Sequence, residues 1–180
     1  MTLRAPEFRS DSGVPFTSLI HPSNPDSGPY GGMSFVTFPV EGRPALVSMV
    51  VGTQGLSPDE EVLGRPGHGR KAAAICSWLN KKYGRGEMVA WAKQDSARID
   101  LDLPGNIRSL FSDYQPVFTR YGRVIYDLYA PGQNRVGTEK CLKAFLDLMF
   151  AERGRQPLKG AEADARRIQA EYFYAAGLLS

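Results

Sequence analysis

Two consecutive apolar segments, residues 33–40 and 45–52, constrain the fold of this chain more than any other feature. Each is long enough for a strand, and the four residues that separate them are few enough for a hairpin. Apolar side chains occur at successive positions of each segment and would therefore point to both faces of the sheet, so both faces must be packed against other parts of the protein. The pair therefore predicts two neighbouring strands in the middle of a sheet that is covered on both faces.

Helical signals follow this hairpin. Ser57 and Pro58, with Glu at the third helical position, form a capping box that predicts a short acidic helix. The Gly- and Pro-rich segment 64–69 is predicted to break it, because both residues are poor helix formers. Apolar residues at helical spacing then predict a longer helix over 70–83, with Gly84 as its C-cap.

Strands and helices are both expected in the middle of the chain. Residues 87–94 are predicted to form a third strand, and residues 99–103 alternate apolar and acidic side chains as a half-exposed strand would. Helical spacing recurs over 107–114, and Pro116 is expected to begin a new helix. The segment 123–129 fits a helix or a strand equally well.

The C-terminal part is predicted to be helical over 138–154 and 165–177, whereas residues 1–30 read as an irregular arm rich in Pro, Ser, Asp and Gly. The predicted fold is α+β. It has a mixed or antiparallel sheet of about four strands packed with helices, followed by C-terminal helices within 138–177. The whole chain, residues 1–180, is expected to be a single domain.

Composition places the chain among ordinary globular proteins. Its 180 residues are 42% hydrophobic, enough for a core, but no apolar run is long enough to cross a bilayer. The N-terminus lacks the pattern of a signal peptide. Cys76 and Cys141 both fall at apolar helical positions, so buried reduced thiols are expected rather than a disulfide. These features predict a cytoplasmic protein without a membrane partner.

Positive charge is concentrated in one part of the sequence. The formal net charge is +3, but residues 63–86 hold six basic residues and no acidic one, which leaves about −3 for the remainder. We predict that this basic segment binds nucleic acid. The candidate residues, with the neighbouring histidine, are Arg65, His68, Arg70, Lys71, Lys81, Lys82 and Arg85.

The segment 64–71 has the chemistry of a phosphate site. Its three glycines would let a ligand approach the backbone, and His68, Arg70 and Lys71 would stand at the start of the predicted helix 70–83. Cations there are unfavourable beside the positive end of the helix dipole unless an anion binds the free N–H groups. A solvated basic loop explains the same residues equally well.

Aromatic residues near this segment are candidates for stacking on an unpaired base. Tyr30, between a proline and two glycines, is the best individual candidate, and Trp91 and Phe35 are the others. The alternative is that aromatic residues on strands belong to the core.

No motif in the chain identifies a catalytic residue, a metal site or a cofactor. The two histidines and two cysteines have no zinc spacing, and neither histidine lies in a nucleophile motif. One alternative function is a metal-dependent nuclease or nucleotide-processing enzyme that uses Asp100 and Asp102, although the strand before them lacks the acidic partner of Lys93. A second alternative is a protein-interaction module that uses helices over 139–150 and 161–176.

The order of elements over residues 30–114 resembles the N-terminal domain of McrB-type modification-dependent restriction proteins. The resemblance rests on the Pro/Gly-rich entry, the apolar strand pair ending in Gly, and a helix finishing in Lys82-Tyr83-Gly84 before an aromatic strand. It implies a DNA-binding specificity module that reads modified cytosine in duplex DNA by base flipping, as part of restriction and phage defence.

The resemblance also implies partners and roles. Tyr30 and Trp91 would line the base pocket, and the basic segment would grip the backbone. An AAA+ motor and a nuclease subunit would be the protein partners, because the family's domain holds no catalytic residue. The motor is not part of this sequence.

Overall fold

The computed structural model describes residues 2–7, 14–20, 31–53, 58–85, 88–129 and 135–152 of the chain. Strands and helices both contribute, and the fold class is α+β as predicted. The chain divides into two compact units, Met1–Ala73 with Trp91–Ala130, and Ala74–Ala90 with Pro131–Ser180. The expectation that the whole chain is one domain stays a prediction.

The predicted hairpin is the centre of a six-stranded sheet. Its strands are β3 (Gly31–Phe38) and β4 (Leu46–Thr53), which pair antiparallel from Gly31 opposite Thr53 to Phe38 opposite Leu46. Both faces are buried, since the consecutive residues Ser34, Phe35 and Val36 are all buried. The prediction of two strands in the middle of a covered sheet is confirmed.

Two strands precede this hairpin where an irregular arm was expected. Residues Thr2–Glu7 (β1) pair antiparallel with Phe16–Ile20 (β2), and β2 pairs antiparallel with β3. The prediction of an irregular arm over 1–30 is therefore wrong for these two segments. The five-residue run of β2 contains good strand formers, but the Pro, Ser, Asp and Gly around it dominated the composition of the region.

Two short strands complete the sheet, which therefore has six strands rather than about four. They are β5 (Ala90–Ala92) and β6 (Asp127–Tyr129), and the strand order is β1-β2-β3-β4-β6-β5. The sequence left 123–129 open, and its last three residues form a strand antiparallel to β4. Residues 99–103 do not form a strand. Their apolar and acidic side chains alternate because Leu101 and Leu103 are buried within an irregular segment.

The long helix α1 (Pro58–Tyr83) runs through the segment where a break was predicted. Segment 64–69 is helical, so the prediction of a loop there is wrong. A proline inside a helix costs about 3 kcal/mol. Helical residues flank segment 64–69 on both sides, and because helix propagation is cooperative, they offset this cost locally. The apolar face predicted over 70–83 is confirmed, with Ala72, Ile75, Cys76 and Leu79 buried.

Short helices cover one face of the sheet in the first unit. They are α2 (Gly105–Arg108), a 3-10 turn (Ser109–Tyr114) and α3 (Gln115–Tyr121). Helix α3 begins at Gln115, one residue before the predicted start at Pro116. Together these short helices bury one apolar cluster that stabilises the unit. It comprises Val36, Phe38, Leu46, Val50, Trp91, Leu101, Leu103, Ile107, Phe111, Tyr114, Val117, Phe118, Ile125 and Leu128.

The second unit contains the end of α1 and helix α4 (Arg135–Glu152), which confirms a helix near 138–154. Its Cys76 and Cys141 are buried thiols that are not joined by a disulfide, as expected. The Asn80 side chain joins the end of α1 to Val89 and Ala90, donating to the Ala90 carbonyl at 2.8 Å and accepting from the Val89 N–H at 2.9 Å. The predicted helix 165–177 lies outside the described residues.

Candidate nucleic-acid interface

The predicted DNA-binding residues lie on α1 or directly after it. Arg70 and Lys71 are exposed in the first unit, and Lys81, Lys82 and Arg85 are exposed in the second. His68 is half-buried. Arg65 lies on α1, and its side chain falls outside the described residues.

The positions of Arg70 and Lys71 relative to the helix dipole differ from those that the sequence predicted. Because α1 begins at Pro58, Arg70 and Lys71 stand in its interior and not at its positive N-terminal end. The argument for a phosphate bound by free N–H groups at residue 70 is therefore wrong. Lys81 and Lys82 occupy the last turn of α1, where the dipole stabilises cations.

The candidate base-pocket residues that the structure describes are core residues. Trp91 is 4% exposed and belongs to the apolar cluster of the first unit, and Phe35 is 8% exposed on β3. A base could stack on either ring only if the core opened, so these two residues do not form an accessible pocket. Tyr30 lies outside the described residues.

The acidic pair Asp100 and Asp102 faces an open cleft in the first unit. Arg98 donates to both carboxylate oxygens of Asp100 at 2.7 and 3.0 Å, and its guanidinium lies 3.4 Å from Asp102. The cleft has a volume of about 470 Å³. Its lining comprises Ile99, Asp100, Leu101, Asp102, Leu103, Arg108, Gln115, Phe118 and Thr119.

Arg98 supplies the positive charge that a metal ion would otherwise supply to this pair. Its hydrogen bond to Asp100 lowers the pKa of that carboxyl below its ordinary value, while desolvation acts in the opposite direction. The described residues contain no group of three His, Cys, Asp or Glu side chains able to hold a metal. Two carboxylates already paired with a guanidinium give the nuclease alternative little support.

Lys93 holds together the segments around this cleft. It is 3% exposed, and its ammonium donates to the carbonyls of Arg98 at 2.6 Å, Gly122 at 2.9 Å and Arg123 at 3.3 Å. Lys93 thus fixes the Arg98 segment to the turn after α3. The sequence placed Lys93 near the end of the predicted strand 87–94, but it contained no signal for three converging carbonyls.

Asp127 is the second buried charged residue that the sequence did not reveal. It lies on β6 at 1% exposure, and its Oδ1 accepts a hydrogen bond from the Met49 N–H at 2.7 Å. Burial raises the pKa of this carboxyl to about 7, while the Met49 hydrogen bond acts in the opposite direction. The sequence of 123–129, which fits a helix or a strand equally well, predicted neither its burial nor its bond to β4.

Comparison with known proteins gives no family for this chain. It matches no protein-family model, and no curated protein or solved structure is significantly similar to it. Among the residues that the structure describes, no helix is both long and apolar enough to cross a membrane.

Proposed function

We propose that this chain is a DNA-binding module that contacts the phosphate backbone of duplex DNA through the basic side chains of α1. One observation carries the proposal. The four Lys and Arg side chains that the structure describes on α1, Arg70, Lys71, Lys81 and Lys82, are all exposed. The segment from 63 to 86 contains no acidic residue, so its own sequence carries a net positive charge.

The expected mechanism is electrostatic. Each exposed cation that approaches a phosphate releases counterions, which gives affinity that falls with added salt and depends weakly on sequence. Phosphate contacts of this kind position a protein on a duplex without reading its bases. Reading of a modified or flipped base remains part of the proposal through Tyr30, the candidate that lies outside the described residues.

This proposal is tested by removing the exposed cations in pairs. Arg70→Ala with Lys71→Ala, and separately Lys81→Ala with Lys82→Ala, should each weaken duplex binding roughly tenfold. Each pair should also reduce the slope of log affinity against log salt by about 2, because each lost phosphate contact contributes about 0.9. Fluorescence anisotropy of a labelled duplex at several salt concentrations measures both quantities.

A matched control removes the same charge elsewhere. Lys140 and Lys143 are exposed on α4, and their double replacement by Ala changes the net charge equally. The control should leave the salt slope nearly unchanged. If all three double variants lose the same amount of DNA affinity, net charge alone drives binding and the proposed interface is wrong. If the α1 variants bind as the wild type does, the proposal fails outright.

A further inference from the structure

The carboxyl group of Asp127 takes the place of a backbone acceptor where β6 joins β4. Asp127 lies beside Met49, between the pairs Val47 with Tyr129 and Val50 with Ile125. The Met49 carbonyl accepts from the Tyr126 N–H at 2.9 Å. The Met49 N–H donates to Oδ1 of Asp127 at 2.7 Å. Both backbone polar groups of Met49 are therefore satisfied from the β6 side, one of them by a side chain. A change at this carboxyl acts directly on the strand pairing.

The other oxygen of Asp127 has little to stabilise a negative charge. Oδ2 is buried and accepts no hydrogen bond from the described residues. Strands β4 and β5 carry no titratable side chain, and the titratable neighbours of Asp127 along the chain are Tyr126 and Tyr129. An ionised carboxylate with a single hydrogen bond in such surroundings is costly. The protonated form is therefore the one suited to the closed sheet.

Lys93 does not compensate this charge. Its backbone N–H donates to the Tyr126 carbonyl at 2.9 Å, which places it beside β6. Its ammonium, however, is committed to the carbonyls of Arg98, Gly122 and Arg123 and lies 5.9 Å from the centre of the Tyr126 ring. Lys93 and Asp127, the buried charged residues among those that the structure describes, therefore have separate partners.

The junction that depends on Asp127 is short. Strand β6 is registered with β4 by the pair Val47 and Tyr129, and an isolated bridge joins Val50 to Ile125. We propose that Asp127 makes this junction a pH-sensitive switch, closed while the carboxyl group holds its proton and loosened when the proton leaves. The β3–β4 hairpin, which has its own eight-pair register, should remain closed.

The direction of the effect follows from proton linkage. The carboxyl of an opened chain has its ordinary pKa of 3.8, whereas burial raises the pKa in the closed sheet to about 7. Below the lower value both forms are protonated and the junction is fully stable. Between the two values only the closed form holds the proton, so each added pH unit favours opening by up to tenfold. Above the higher value both forms are ionised, and the stability of the junction no longer changes with pH.

Native-state hydrogen exchange by NMR tests the switch in the whole chain. After correction for intrinsic exchange, the opening constants of the Tyr126 and Val51 amides should rise up to tenfold per unit between pH 5 and 7. Asp127→Asn keeps an acceptor for the Met49 N–H but has no proton to lose, so its opening constants should stay flat. An equal rise in both proteins, or no rise in the wild type, would overturn the proposal.

A titration of the wild-type carboxyl keeps the proposal testable even if the variant does not fold. The ¹³C shift of the Asp127 carboxyl carbon should change with a midpoint near neutral pH. A midpoint near or below the ordinary aspartate pKa would show that the buried carboxyl is already ionised when the sheet is closed, and it would exclude the switch.

Discussion

Replacement of Lys93 by methionine is expected to lower the free energy of unfolding by about 3 kcal/mol. Methionine preserves most of the apolar stem but removes the ammonium that donates to the carbonyls of Arg98, Gly122 and Arg123. A buried polar group left without its partner costs about 1–3 kcal/mol. The variant no longer buries a charged ammonium, and this gain offsets part of the cost of leaving the three carbonyls without their donor. Urea unfolding followed by circular dichroism measures the change.

The control for Lys93 is Lys140→Met, because Lys140 is an exposed lysine on α4. It should change stability by less than about 0.5 kcal/mol. A loss below 1 kcal/mol for Lys93→Met would show that water or backbone movement replaces the ammonium easily. In that case Lys93 would not be the residue that holds the Arg98 segment against the turn after α3.

The central hairpin was predictable because its signal is local. Strands β3 and β4 are adjacent in sequence, joined by a short connection, and apolar on both faces. Strands β1 and β2 were missed because their pairing depends on β3, and no pattern within residues 1–30 indicates that partner. Helix α1 shows the converse, since a locally unfavourable segment, 64–69, remains helical between two favourable ones.

The sequence predicted the exposed residues of the candidate site, but it did not predict the roles of the buried ones. Charge density identified Arg70, Lys71, Lys81 and Lys82, and these side chains are exposed. The roles of Lys93 and Asp127 could not be predicted, because they depend on contacts with residues 29 and 78 positions away along the chain. A charged residue has no sequence signature that separates a buried position from an exposed one.

Trp91→Ala is expected to destabilise the chain by about 3–5 kcal/mol, the usual cost of removing a large buried aromatic side chain. Trp91 is 4% exposed and belongs to the apolar cluster that includes Leu101 and Leu103. Since domains of this size are stable by about 5–15 kcal/mol, such a loss would leave the fold marginal. Thermal and urea unfolding measure it.

Trp91→Phe separates a core role from a base-reading role. Phenylalanine retains much of the buried area, so the chain should fold with a stability loss of about 1–2 kcal/mol. Because Trp91 is buried, duplex affinity should stay within about twofold of the wild type, for plain and for modified DNA alike. A stacking residue would give the opposite pattern, with little change in stability and a preferential loss of binding to modified DNA. That pattern would require a conformation in which Trp91 leaves the core, and it would restore Trp91 as a pocket residue.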